Sequence, residues 1–156
     1  MNHKTALFIK SCCNVGACPA GADSETIEKM GNFGLAVGMA FQIKDDLFDY
    51  GSFNIGKPRG IDIKEKKMTL PLIHALEKAS SSEARRIRRL VKQASKKKEA
   101  VQEVIEFVKR SGGLEYATSV MEKYHQKAKD ILRSLPETIY KKSLEDLVQF
   151  TIERTK

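Results

Sequence analysis

The stretch Phe41-Gln42-Ile43-Lys44-Asp45-Asp46-Leu47-Phe48-Asp49-Tyr50 decides the reading of this chain, because three carboxylates close an otherwise apolar helical run that opens near Ser24. On a helix, Gln42, Asp45, Asp46 and Asp49 stand three and four residues apart and therefore share one face. That face lies in the last turns before Gly51, where the helix dipole favours cations and disfavours each anion by about 0.3–1 kcal/mol. Lys44 offsets only part of this. Convergent carboxylates at that end of a helix point to a hard divalent cation with oxygen ligands, carrying a phosphate-bearing substrate. Without the cation they repel, and at least one takes a raised, coupled pKa.

Outward from this motif, the run from Ser24 to Tyr50 is apolar or small nearly all round, with Phe33, Leu35, Val37, Met39, Phe41, Ile43, Leu47 and Phe48, which predicts a buried helix. Asp23 or Ser24 caps it, with Glu25 and Glu28 in its first turns. Gly31, Gly34 and Gly38 each cost such a helix about 1 kcal/mol relative to Ala, which is tolerable where another backbone or a ligand comes close. The line Leu35, Gly38, Gln42, Asp45, Asp49 passes from packed to polar, so it is expected to face a cavity. Upstream, His3 to Cys13 is helical in pattern and runs through small residues to Pro19-Ala20-Gly21. Downstream, Gly51 ends the helix and Ser52 to Asp62 is a loop rich in turn formers, expected to act as a flap over an anion.

The remainder divides into helices. Thr69-Leu70-Pro71 opens one that ends near Lys78, with Pro in its first turn. Ser82 caps the next through Ala94, and Lys98 to Arg110 follows and stops at Gly112-Gly113. Leu114 to Leu135 ends before Pro136, and Ser143 caps the last. No stretch alternates between hairpin turns, so the chain is expected to be all-α, one domain over residues 1–156. Cys12, Cys13 and Cys18 lack a fourth ligand and a His at zinc-finger spacing, and are expected to be reduced, small core residues. No apolar run is long enough to span a bilayer and no signal-peptide layout is present, which makes a cytoplasmic location the default.

The order Lys4-Thr5, then Phe41-Gln42-x-x-Asp45-Asp46-x-x-Asp49, then Gly56-Lys57-x-x-Gly60-x-Asp62 leading to Lys67-x-Thr69-Leu70-Pro71, closely resembles the C-terminal half of trans-isoprenyl diphosphate synthases, the polyprenyl synthetase family. The resemblance implies a bundle of long helices around a deep cavity, part of the isoprenoid synthase fold. It implies a prenyltransferase that ionises an allylic diphosphate with Mg2+ and condenses it with isopentenyl diphosphate. By the resemblance, Asp45 coordinates magnesium, Asp46 and Asp49 support that ion directly or through water, and Asp62 is a candidate to join them. Lys4 and Lys57 are implied to bind the leaving diphosphate, with Lys67 a weaker candidate, while Thr5 and Gln42 face the developing charge. The family's first aspartate-rich motif and its isopentenyl diphosphate site lie upstream of anything present here, and no second Asp-Asp-x-x-Asp occurs in the chain. The expectation is therefore half of a site, inactive alone, with the unpartnered face of the second helix exposed. Full-length members are usually homodimers, and an N-terminal partner chain is the counterpart expected here.

Two other classes compete. One is a non-catalytic or regulatory subunit of a split synthase. The other rests on the net charge of +8, from 28 Lys and Arg against 20 Asp and Glu, and on Arg85-Arg86-Ile87-Arg88-Arg89-Leu90-Val91-Lys92 followed by Lys96-Lys97-Lys98. Such a run could engage nucleic acid or an anionic membrane surface. It lacks aromatics for base stacking and a glycine-rich RNA-binding motif, so a solvated amphipathic face and no nucleic acid are expected, with peripheral membrane contact kept as a hypothesis. His74 is expected to pack against its helix surroundings, and His125 to lie at the surface.

Overall fold

The computed structural model describes residues 4–51 and 60–154. Among them the chain forms α1 (Lys4–Ala17), α2 (Ser24–Phe48), α3 (Ile61–Lys64), α4 (Leu70–Lys78), α5 (Ser81–Gln93), α6 (Lys98–Arg110), α7 (Gly113–Arg133) and α8 (Ile139–Glu153), and no strand. It divides into two compact units, Asp45–Ser119 and Asn2–Lys44 with Val120–Lys156. No helix among the described residues is long and apolar enough to cross a membrane.

In the unit Asp45–Ser119, the periodicity of α5 and α6 decides which faces are buried. Ala84, Ile87 and Val91 of α5 turn inward at spacings of three and four, while Arg85, Arg86, Arg88, Arg89 and Lys92 stay exposed. On α6, Val101, Val104, Ile105 and Val108 supply the opposing stripe, and Phe107 is fully buried with them. Leu72, Ala75 and Leu76 of α4 complete the core with Tyr50 and Ile63. The start of α5 lies earlier than Ser82, because the Ser80 hydroxyl accepts the Glu83 N–H at 3.2 Å and caps the helix. Helix α3 was not expected; it interrupts the segment read as a loop, and residues 52–59, which carry most of the expected flap, lie outside the described residues.

In the other unit, α1 lies against the glycine line of α2. A Cβ at Gly38 would stand 2.6 Å from Ala6 Cα, and one at Gly34 would stand 2.7 Å from Cys13 Sγ and 2.8 Å from the Ile9 carbonyl oxygen. These glycines therefore admit a neighbouring backbone rather than a ligand. The cavity expected along Leu35 and Gly38 is corrected at Gly38, where Ala6 fills the space. Phe33, Ala36 and Val37 of α2 pack with Ala128 and Leu132 of α7 and Val148 of α8. Full burial of Phe33 and Leu132 stabilises the unit by about 1.5–3 kcal/mol each.

Several expectations need correcting here. Helix α2 ends at Phe48, two residues short of Tyr50, so Asp49 lies beyond it. Ser143 does not cap α8; its hydroxyl donates to the Ile139 carbonyl inside the helix, and Thr138 caps instead by accepting the Lys141 N–H at 3.1 Å. Cys12 and Cys18 are exposed, so they are not core residues, whereas Cys13 is half-buried and packs at the edge of the core of this unit. No large apolar residue of α2 is exposed; among the described residues they stand mostly on α1 (Leu7, Phe8, Val15) and α8 (Ile139, Tyr140, Leu147, Phe150), with Met68 before α4 and Tyr116 on α7. Asp23 does cap α2, its Oδ1 accepting the Thr26 N–H at 2.8 Å.

Candidate functional site

Within the unit Asp45–Ser119, the acidic motif meets the segment that leads into α4. Asp45 is exposed on the last turns of α2, and Asp46 is half-buried with Oδ2 3.4 Å from the Leu70 N–H. Asp49 grips α3: its Oδ1 accepts the Ile61 N–H at 2.7 Å and its Oδ2 the Asp62 N–H at 3.2 Å. Gly60, at φ 73°, occupies the N-cap position without a side chain, so Asp49 satisfies the donors that a capping side chain would otherwise take. The Gly60 N–H also reaches the Asp49 carbonyl, at 3.2 Å. The left-handed backbone at Gly60 suits glycine, and a Cβ there would stand 2.1 Å from Val101 Cγ1 of α6. Tyr50, fully buried, pairs its hydroxyl with Thr69 Oγ1 at 2.5 Å, which ties the motif's end to the residue before α4.

The electrostatics follow from this packing. Burial pushes the Asp46 carboxyl up to about 6; the Leu70 N–H opposes the shift, and the charges of Asp62 and Asp45 add to it. Burial likewise raises Asp49, against the pull of the Asp62 and Ile61 N–H groups. Asp62 accepts Lys67 Nζ at 2.8 Å, and Lys67 also meets Glu65 at 2.7 Å, so those two hydrogen bonds raise its pKa. Lys67 is thus engaged by carboxylates at an exposed position. The donor set is one of hard oxygens with an excess of negative charge, which fits a divalent cation in charge and ligand type. Among the described residues no three His, Cys, Asp or Glu side chains converge closely enough to enclose an ion.

In the unit containing Gln42, the register of α1 on α2 positions the other candidates. Asn14 Oδ1 lies against Gly31, Cys13 and Ile9 against Gly34, and Ala6 against Gly38, so the helices run antiparallel. Lys4 and Thr5, both exposed, then stand toward the turn of α2 that carries the half-buried Gln42. Lys57 lies outside the described residues. Arg154 also reaches this turn, donating from Nη2 to the Phe41 carbonyl at 3.2 Å with its guanidinium 3.9 Å over the Phe41 ring. Burial lowers the Lys44 pKa, and the Arg154 charge lowers it further. Sequence reasoning missed Arg154, and no local signal marks it, because its contact spans 113 positions. Tyr50 and Thr69 were also missed as a pair, although Tyr50 closes the acidic stretch and Thr69 lies within Lys67-x-Thr69-Leu70-Pro71.

His74 behaves as expected, stacking on Tyr116 with ring centroids 3.8 Å apart. His125 is half-buried rather than superficial, and burial lowers its pKa.

Comparison with known proteins gives a consistent result. The polyprenyl synthetase family model matches residues 1–108. A short chain isoprenyl diphosphate synthase of Methanothermobacter thermautotrophicus is 36% identical over 153 residues, covering 97% of this chain and 46% of that protein. Heptaprenyl diphosphate synthase component 2 of Bacillus subtilis is 33% identical, covering 99% of this chain and 44% of that one. A crystal structure of geranylgeranyl pyrophosphate synthase from Corynebacterium glutamicum, complexed with calcium and isoprenyl diphosphate, superposes with a TM-score of 0.82 at 35% identity over 97% of this chain and 48% of that chain. The chain spans about half the length of the relatives it matches. By the family match, by this identity and by the shared all-helical fold, the chain belongs to the polyprenyl synthetase family.

Proposed function

We propose that this chain supplies one wall of the site at which a trans-polyprenyl diphosphate synthase condenses an allylic diphosphate with isopentenyl diphosphate. The allylic C–O bond breaks, diphosphate leaves, the double bond of isopentenyl diphosphate attacks the allylic carbon, and a proton departs. Magnesium, when bound, neutralises the charge that gathers on the leaving diphosphate. Asp45 and Asp46 would hold the ion, with Asp62 nearby in charge, and Asp49 would support it chiefly by fastening α3. Lys4 and Lys57 would bind the diphosphate, Thr5 and Gln42 would face the developing charge, and Lys67 would contribute only after release from Asp62 and Glu65. Fixed cations of this kind stabilise the departing group more than the intact substrate.

The observation that carries this reading is Asp46, whose carboxyl burial and two neighbouring acids push up to about 6. A divalent cation would reverse that penalty. A magnesium titration at neutral pH, followed by the unfolding temperature, tests it; no stabilisation by magnesium, or equal stabilisation of Asp46→Asn, would overturn the assignment.

A second reading, a subunit that completes a separate chain, draws support from the exposed apolar residues of α1 and α8: Phe8 is 69% exposed and Phe150 62%. Surfaces of this kind need cover. With a single Asp-Asp-x-x-Asp in the sequence, the purified 156-residue chain is expected to show no prenyl transfer alone. Activity that appears only on co-expression with a chain bearing the other aspartate motif supports the subunit reading, whereas turnover by the chain alone contradicts both. Homodimerisation through these faces and a cytoplasmic location belong to the same proposal.

A further inference from the structure

The long basic helix carries a feature that prenyl transfer does not use. Arg85, Arg88, Arg89 and Lys92 recur at spacings of three and four, so they form one stripe along α5. With Leu76 and Ala79 from the end of α4, and Ser81 and Ala84 of α5, they line a groove of about 550 Å³. No carboxylate lines it. The neighbouring cations are treated differently: Arg86 pairs with Glu103, Arg110 with Glu83, and Lys109 with Glu106. Among the described residues, the four stripe cations meet no acid within ion-pair distance. By contrast, the basic groove beside Lys29, Lys123 and Lys127 includes Asp130, which already engages Arg133.

We propose that the α4–α5 groove is an anion site that takes a phosphate monoester or diphosphate group, separate from the aspartate cluster. Like charges one turn apart repel along α5, and a multiply charged anion seated among them removes that repulsion. Guanidinium forks one turn apart, Arg85 with Arg88 or Arg89, match phosphate oxygens in pairs, and a singly charged carboxylate would leave most of the stripe uncompensated. The volume lies within the range of small-ligand clefts, about 300–1,000 Å³. The Leu76, Ala79 and Ala84 floor accepts the carbon atoms of whatever bears the phosphate. That carrier is a soluble phosphorylated compound or a phospholipid headgroup, and the chemistry at the groove is the same. The lining holds no aromatic side chain on which a base could stack, which disfavours nucleic acid.

The test uses the intact chain in EDTA, so that the aspartate cluster holds no cation. Inorganic diphosphate is titrated calorimetrically; vesicles of phosphatidylcholine with about 30 mol% phosphatidic acid are assayed by flotation; a single-stranded RNA oligomer forms the third arm. Arg88→Gln/Arg89→Gln is compared with Lys96→Gln/Lys97→Gln, which removes the same charge outside the groove. The groove variant is expected to weaken diphosphate or vesicle binding by about 10-fold or more, and the control by less than about 2-fold. Diphosphate binding without flotation identifies a soluble ligand. Flotation that diphosphate competes away identifies a headgroup. Equal losses in both variants, no binding in either phosphate arm, or tighter RNA binding that tracks Arg88 and Arg89 would each overturn the proposal. All four stripe residues are exposed, so the variants should fold; Arg85→Gln alone provides the same reading if the double variant does not.

Discussion

Replacing Asp46 by Asn should make the metal-free protein more stable at neutral pH, while abolishing its response to magnesium. The Asp46 carboxyl moves from 3.8 to about 6 on folding, chiefly through burial. Above pH 6 both states are ionised and the folded state carries the whole desolvation cost, about 3 kcal/mol at 1.36 kcal/mol per pH unit. Because the side chain is only half-buried, solvent screening reduces this to about 1–2 kcal/mol. Asn has the same shape, keeps an acceptor for the Leu70 N–H and bears no charge. For a chain of this size, the gain in unfolding temperature is about 2–8 °C. The sign with pH is fixed by linkage. Folding raises the pKa, so this carboxyl contributes most below about pH 4, and its contribution is lost as pH rises through 6. The advantage of Asp46→Asn near pH 7.5 should therefore fall to about a third near pH 4.5. Differential scanning calorimetry in EDTA, repeated with magnesium, measures all of this. A variant that melts lower than the parent, or an advantage that does not change with pH, would refute the electrostatic argument.

Other substitutions probe the scaffold of the site. Asp49→Ala removes both acceptors for the Ile61 and Asp62 N–H groups and should cost about 1–2 kcal/mol by urea denaturation, with Asp49→Asn losing less. Tyr50→Phe leaves Thr69 Oγ1 buried without its 2.5 Å partner and should cost about 1–3 kcal/mol, again by denaturation; an unchanged midpoint would mean that the pair is not formed. Gly38→Val drives a side chain into Ala6 and should destabilise by at least about 1–3 kcal/mol, with the loss seen first in amide exchange of α1 and α2.

Legibility in the sequence followed the range of the forces involved. Helices α4, α5 and α6 were readable because their apolar spacing, Pro71 and the glycines after Arg110 act within a few residues. The Asp23 cap was readable for the same reason. Ser143 misled because Ser and Thr can cap a helix or bond back into it, and the choice at Thr138 rests on where α8 begins. Cys12 and Cys18 misled because small residues are usually buried, whereas burial at these positions depends on what covers them; Cys13 does pack against the core.

The acidic motif shows the same division. The sequence alone determined that carboxylates gather at the end of a buried helix, that a lysine-rich segment and Thr69-Leu70-Pro71 follow, and that the chain is all-helical, since composition and spacing carry those facts. Only the tertiary structure decided that the three carboxylates are unequal. Asp45 is exposed, Asp46 is desolvated beside Asp62, and Asp49 has left the helix to hold the backbone of α3. The physical reason is that desolvation and hydrogen bonding are set by the groups packed around a side chain, and α3 and the Leu70 N–H come from 12 to 24 positions away.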